Sequence, residues 1–226
     1  MNPLRHLPNA LTSLNLLSGC LGIVSVLHGP AHHAIWYVIV ACVFDFFDGF
    51  TARALNVSSP IGKELDSLAD MVSFGVLPSL VMYRMLDTQS SHEFIPYGAF
   101  SLAVFSALRL AKFNIDETQR EHFVGLPTPA NALFITSLVY LASPFDVVIS
   151  QDFSLLMITA IFSFLLVAPV ELFALKFKTY SWGGNELKFT FVAFSVFLLA
   201  LWQLAAMPFV ILTYVAVSLL KSWIRF

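Results

Sequence analysis

The sequence predicts an all-α fold, a polytopic membrane helical bundle of about eight transmembrane helices, and three observations carry that prediction. Of 226 residues, 58 % are hydrophobic and 12 % charged, with 23 Phe and a mean hydropathy of +0.80. Soluble domains carry about 25 % charged residues, so this chain cannot cover a water-facing surface. The apolar residues gather into runs near the roughly 20 residues that cross a bilayer core. Cationic residues also gather on one side of those runs. The length leaves no room for a separate soluble domain, which excludes a multidomain receptor or a membrane-tethered soluble enzyme. The net charge of −2 is unevenly spread and does not point to nucleic acid.

Apolar runs between polar or Gly/Pro punctuation place spans at 9–28, 35–54, 65–86, 95–113, 129–148, 153–175, 188–205 and 207–222. The first follows Arg5, runs too long for a signal-peptide core and is expected to be retained. The second ends at the turn residues Asn56-Val57-Ser58-Ser59-Pro60, which return the chain as the third. The fourth ends at its own cationic flank, Arg109 and Lys112, and the fifth follows Gly125, Pro127 and Pro129, which shape its start. The sixth contains Pro169 and Glu171, an acid read as snorkelling to the inner interface, and the last two break around Met207-Pro208. The chain reads as one membrane domain, 1–226, with a catalytic part at about 1–180 and additional helices at about 188–222. Cys20 and Cys42 lie in apolar runs, read as small buried hydrophobes, and build no disulfide framework. The outward His28, His32 and His33 read as a solvated loop.

Cytoplasmic loops keep Lys and Arg. With the N-terminus inside, eleven of the twelve cations fall on inner segments: Arg5, Arg53, Lys63, Arg109, Lys112, Arg120, Lys176, Lys178, Lys188, Lys221 and Arg225. Arg84 alone lies outside. Both termini are then cytoplasmic, and an even number of spans follows.

Ionisable residues inside a membrane are costly and point to function. The second and third spans hold four, Asp45, Asp48, Asp66 and Asp70. Asp45, Asp48, Gly49 and Ala52 share one helical face, and Asp66 and Asp70 share another. In an antiparallel hairpin, pairs 48/66 and 45/70 centre on 57 and 57.5, inside the turn. All four carboxylates should therefore converge. Like charges in a low dielectric need a counter-charge, and an all-oxygen set suits a hard divalent ion, Mg²⁺ or Mn²⁺. Two such ions could clamp a phosphoryl group. The small Gly49 and Ala52 let a ligand approach the backbone, and Arg53 could pair with phosphate. Asp45 lies about 15 Å from the outer start of its span, with Asp48 and Arg53 nearer the cytoplasm and Asp66 and Asp70 in the first turns of the returning helix. The site faces the cytoplasmic headgroup layer. A divalent-cation transporter is the alternative outside enzymes, although transporter sites usually lie nearer the midplane.

The string Asp45-x2-Asp48-Gly49-x2-Ala52-Arg53-x8-Gly62-x3-Asp66-x3-Asp70 resembles the signature of the CDP-alcohol phosphatidyltransferase family, with eight fixed residues over 26 positions. The resemblance implies a membrane bundle that moves a phosphatidyl group from CDP-diacylglycerol to an alcohol and releases CMP. It implies two Mg²⁺ or Mn²⁺ ions on the four aspartates, with Asp70 also the base. It further implies a CDP-diacylglycerol site at Asn9, Thr12, Gly49, Ala52, Arg53, Ser59 and Gly62. PNALTSLNLLSGCLGIVSV, LRLAKFN and FVGLPTPAN are similar to the family's phosphatidylserine synthase branch, which implies L-serine as acceptor. Arg109, Lys112 and Asn114 supply donors suited to it. Phosphatidylglycerophosphate and inositol-lipid synthesis are the alternatives within the family. The expected partners are CDP-diacylglycerol, L-serine and membrane lipids, with no nucleic acid, and a homodimer is compatible with the pattern.

Overall fold

The structure, a computed structural model, describes residues 3–57, 59–115, 123–141, 144–172, 182–183 and 185–224. Its helices are α1 Leu7–His28, α2 Ala34–Ala54, α3 Pro60–Asp70, α4 Leu77–Gln89, α5 Ser101–Ile115, α6 Thr128–Ser137, α7 Asp146–Ile149, α8 Asp152–Val167, α9 Glu186–Trp202 and α10 Met207–Ile224. Two-residue strands, β1 Phe123–Val124 and β2 Glu171–Leu172, pair antiparallel. Among the described residues, five stretches are long and apolar enough to cross a membrane: Leu7–His28, Ala31–Ala54, Pro60–Gln89, Ile95–Ile115 and Glu186–Lys221.

The side chains of α1 explain why the bundle belongs in lipid. Its buried positions are Thr12, Asn15, Ser18, Gly19, Gly22 and Val26, whereas Leu14, Leu17, Leu21 and Val24 are exposed. Polar and small residues face the interior and large apolar residues face out, the pattern of helices that meet through close backbone approach in a membrane. Gly19 is the tightest of these contacts. A Cβ there would lie 2.4 Å from Ser73 Oγ and 2.9 Å from Ser73 Cα. Ser73 Oγ also donates to the Asn15 carbonyl at 2.9 Å.

The hairpin between α2 and α3 is built by local chemistry. Asn56 takes a φ of 50° and closes α2, with Val57 N–H donating to the Ala52 carbonyl at 3.0 Å and Asn56 N–H to Arg53 at 3.2 Å. That is the bonding of a left-handed helix cap, which asparagine tolerates. Ser59 then caps α3 by accepting from Gly62 N–H at 3.0 Å, with Pro60 in the first turn. The helix therefore starts five residues before the expected 65, and Asp66 and Asp70 lie in its second and third turns rather than its first.

Helix α3 runs into α4 through a π-helical stretch, Met71–Val76. Pro78 has no N–H to give the carbonyl four residues back, which loosens the ladder there. The Ser79 hydroxyl donates to the neighbouring Gly75 carbonyl at 2.7 Å. Beyond it, Leu77, Val81, Met82 and Leu86 are fully buried, and α4 is surrounded by α1, α2, α5, α6 and α8. This helix is the axis of the core.

The later spans differ from expectation. The fifth is helical only over Thr128–Ser137, extended by a 3-10 turn at Leu138–Tyr140. The sixth ends at Val167, since Pro169 forces Ala168 into an extended conformation (ψ 140°). Glu171 thus lies in β2 rather than inside a helix, and its side chain falls outside the described set. Both helices are shorter than a full crossing. The last break falls at Gln203 (φ 51°), ahead of Met207-Pro208, and α9 folds back on α10 through Phe191, Leu198, Ala206 and Val210. Gly125, at φ 81°, passes so close to α8 that a Cβ would lie 2.4 Å from the Leu166 carbonyl oxygen, which ties the start of α6 to α8. Cys20 is exposed rather than buried, on the outer face of α1, and Cys42 is half-buried. Arg120, Lys176, Lys178 and Arg225 lie outside the described residues.

Because Ser73 backbone cannot yield to a side chain at residue 19, Gly19→Ala should cost about 1–3 kcal/mol through overpacking. Thermal unfolding of the purified protein in detergent measures it; an unchanged midpoint would contradict so close an approach.

Candidate active site

The cytoplasmic expectation for the aspartates begins with the hairpin just described, because α2 and α3 are held together at its turn. Carboxylate oxygens of Asp45, Asp48 and Asp66 lie within 4.8 Å of one another. Asp48 is buried, and Asp45 and Asp66 are half-buried. Asp70, one turn beyond Asp66, is buried and accepts from Asn15 Nδ2 at 3.2 Å. It lies within electrostatic reach of Asp45, Asp66 and Arg109. Three carboxylates form the tight cluster and the fourth adjoins it.

Helix α1 supplies the polar wall. Thr12 Oγ1 donates to Asp48 Oδ2 at 2.7 Å, with the Pro8 carbonyl at 3.1 Å as its other neighbour. Asn9 Oδ1 approaches to 3.0 Å of where a Gly62 Cβ would sit, so glycine is what lets α1 and α3 meet at the turn. Arg53 is exposed and folds back over Gly49, where a Cβ would lie 3.3 Å from its Nη1.

In front of the cluster lies a cavity of about 980 Å³. Asn9, Thr12, Gly49, Ala52, Ser59 and Gly62 line it, together with Asp48 and Asp66. Six of the seven residues expected to bind the nucleotide are thus on one surface, and Arg53 stands beside it. Sequence reasoning missed Arg5, His6 and Lys63, which also line the cavity. It also missed Asn15, although Thr12 and Asn15 are three apart on one face of α1.

The three residues expected to hold the acceptor do not come together. The Arg109 guanidinium lies inside the bundle near Asp70, with Nη1 3.5 Å from Thr128 Oγ1. Lys112 is exposed. Asn114 clamps α5 to α3: its Nδ2 donates to Ser67 Oγ at 2.9 Å, and its carbonyl accepts from Lys63 Nζ at 2.7 Å.

The aspartate set fits a divalent cation. At an effective dielectric of about 20, two unit charges 4.8 Å apart repel by about 3 kcal/mol, and the cluster contains three such pairs. Arg53 acts on Asp48 with a single opposite charge. Asp66 Oδ1 is buried without a hydrogen-bond partner among the described residues. A lone oxygen of that kind, beside two further carboxylates, matches the donors a hard ion takes.

The site lies within a known class of protein: residues 5–167 match the CDP-alcohol phosphatidyltransferase family, and the chain belongs to it. Members of the family generally use divalent metals, in keeping with the aspartate cluster. Among its curated relatives is the CDP-diacylglycerol–serine O-phosphatidyltransferase of Bacillus subtilis, 35% identical over 142 residues, which cover 62% of this chain and 79% of that protein. The proteins of the same name from Helicobacter pylori J99 and Saccharomyces cerevisiae are 35% and 34% identical over 146 and 151 residues. Those matches cover 62% and 60% of this chain, and 60% and 54% of the two relatives.

Groups that orient a metal-binding carboxylate typically contribute 10–100-fold to metal affinity. Thr12→Val removes the hydroxyl from Asp48 at constant shape. It should raise the Mg²⁺ or Mn²⁺ concentration for half-maximal binding by about tenfold, read by isothermal calorimetry; unchanged binding would separate Thr12 from the cation.

Proposed function

We propose that this chain transfers the phosphatidyl group of CDP-diacylglycerol to the hydroxyl of L-serine, giving phosphatidylserine and CMP. The observation that carries the reading is the position of Asp48 and Asp66 on the wall of a cavity that Gly49, Ala52 and Gly62 of the same signature also line, in a chain of this family. Serine as acceptor is supported by the printed activity of the relatives. A guanidinium inside the bundle beside Asp70 supports it independently, because its planar fork matches a carboxylate.

In this reading Asp45, Asp48, Asp66 and Asp70 would hold two divalent ions, Mg²⁺ or Mn²⁺. When bound, such ions neutralise charge on a pyrophosphate and stabilise both the entering and leaving oxygens. The chain's own residues do the rest. Asn9, Thr12, Gly49, Ala52, Ser59 and Gly62 bind the nucleotide, and Arg53 reaches its phosphates from the rim. Arg109 grips the serine carboxylate, while Lys112 and Asn114 serve the acceptor side indirectly, one as exposed charge and one as a clamp. Asp70 takes the proton of the serine hydroxyl as its oxygen bonds to the phosphatidyl phosphorus. The bond from that phosphorus to the CMP oxygen breaks, and CMP leaves.

The reaction faces the cytoplasm. Arg5 and Lys63 line the cavity, and Lys63 reaches the inner end of α5 at Asn114. Arg84, the one cation assigned to the outside, is bonded at the opposite end of α1, to the Val26 and Leu27 carbonyls at 3.0 and 3.4 Å. In a background with Cys20 and Cys42 replaced by alanine, Glu93→Cys should react with an impermeant maleimide in sealed cells. Glu64→Cys should react only after permeabilisation, and the reverse pattern would invert the topology.

Purified protein with CDP-diacylglycerol should release CMP fastest with L-serine, more slowly with glycerol 3-phosphate or inositol, and not at all in excess chelator. Asp70→Asn should keep most of its CDP-diacylglycerol binding but lose at least about 100-fold in kcat, the lower range for a positioned base. Preference for another acceptor would overturn serine, and a near-normal kcat would remove the base role from Asp70.

A further inference from the structure

Buried polar side chains nearly always find hydrogen-bond partners, so the exceptions carry information. Among the described residues, the buried side-chain atoms without one are Asn15 Oδ1, Asp66 Oδ1, Ser106 Oγ, Arg109 Nε and both Asn131 Nδ2 and Oδ1. Asp66 belongs to the carboxylate cluster, and Asn15 is the α1 side chain whose Nδ2 donates to Asp70. The remaining three residues sit on α5 and α6, two helices linked through Arg109 and Thr128. Ser106 and Arg109 are one turn apart on α5. Arg109 Nη1 lies 3.5 Å from Thr128 Oγ1, and Thr128 and Asn131 are one turn apart on α6, both with no exposed surface. Both helices also pack on the Met71–Val76 stretch that follows Asp70.

Asn131 is the exceptional member. Neither its donor group nor its acceptor is used, which in a dry site costs about 1–3 kcal/mol per group. Its backbone is conventional, with N–H donating to the Pro127 carbonyl at 3.0 Å, so helix capping does not explain the side chain. An Asn offers an acceptor oxygen, whereas Arg109 offers only donors. Together they complement a zwitterion, the guanidinium meeting its carboxylate and the amide oxygen its ammonium.

We infer that Asn131 is a specificity-determining residue for the acceptor, its Oδ1 receiving the ammonium of a small hydroxy-amino acid whose carboxylate lies on Arg109 behind Asp70. This rests on serine transfer as the activity and adds how the amine is read. A site with polar groups built for a ligand rejects an analogue lacking the matching group, because its own groups are then left unpaired.

The test compares wild type with Asn131→Leu, which keeps the branching at Cγ without polar atoms, using L-serine and glycerate, which keeps hydroxyl and carboxylate but has no amine. The variant should raise the KM for serine by about tenfold or more, leave the KM for CDP-diacylglycerol within about twofold, and shrink the preference for serine over glycerate by the same factor. Its unfolding midpoint should equal or exceed that of wild type, since two unsatisfied groups are removed. A lower midpoint would show that the amide holds the fold together, and an unchanged serine KM would leave it to an ordered water; either overturns the inference. Wild type that releases no CMP with serine refutes the activity as well, whereas normal serine turnover with an indifferent variant refutes Asn131 alone.

Discussion

Crowded negative charge is the constraint on which this structure turns. Three carboxylates within 4.8 Å of one another, in a bundle whose outer face is Leu, Val and Phe, repel by an amount comparable to the 5–15 kcal/mol that stabilises a whole domain. Such a cluster needs surroundings that fix it and something that offsets its charge, the part a divalent cation takes in the proposed reaction. The fixing is visible in covalent neighbours: an Asn56 cap ends α2, a Ser59 cap starts α3, and the intervening turn is short enough that Asp48 and Asp66 have to face each other. The charge and the hairpin are one device, because relaxing the turn would separate the ligands.

The rest of the bundle positions the surfaces on either side of that cluster. On one side α1 presents Asn9, Thr12 and Asn15 to the aspartates, and it can approach so closely because Gly19 and Gly62 leave room for Ser73 and Asn9. On the other, the π-helical stretch after Asp70 changes the phase of the helix between Asp66 and Asp70 and the apolar core built on α4. Such irregular turns inside helices are frequent at functional sites. Here one allows Asp66 and Asp70 to face α1 and α2 while Phe74 and Leu77 face the core.

The fold's first half was legible because its signals are local. Helical spacing puts Asp45 with Asp48 and Asp66 with Asp70, and in an antiparallel hairpin the midpoints 57 and 57.5 of the cross-helix pairs bring them to matching depths. The start of α3 was misjudged because Pro60-Ile61-Gly62-Lys63-Glu64 is too polar to read as part of a span, although Ser59 and Pro60 are the capping residues of a helix start. The π-helical stretch left only indirect marks, Gly75 and Pro78. The fifth and sixth spans came out shorter because their apolar runs continue past the helix ends; at Pro169 a breaker outweighs hydrophobicity. Grouping Arg109, Lys112 and Asn114 by nearness in sequence failed for a geometric reason. Residues three apart share a face and residues five apart do not, so Asn114 turns toward Ser67 while Arg109 turns toward Asp70.

Asn131 could not have been found that way at all. In the sequence it is one polar residue in the apolar stretch after Pro129, where an asparagine that bonds a neighbouring helix and one kept for a ligand look alike. What distinguishes them is the absence of a partner for both ends of the amide, a property of the assembled core rather than of any segment. The same holds for Arg109 Nε and Ser106 Oγ. A core free to maximise stability would fill such positions with leucine, since each unsatisfied buried group weakens the fold. Their retention on two helices that both pack on the stretch after Asp70 follows naturally if a polar molecule completes them during turnover. The bundle then divides its polar interior in two, anionic toward the nucleotide cavity and hydrogen-bond-hungry toward α5 and α6. The transferred group and its acceptor would approach Asp70 from opposite sides, each held by groups that the other cannot satisfy.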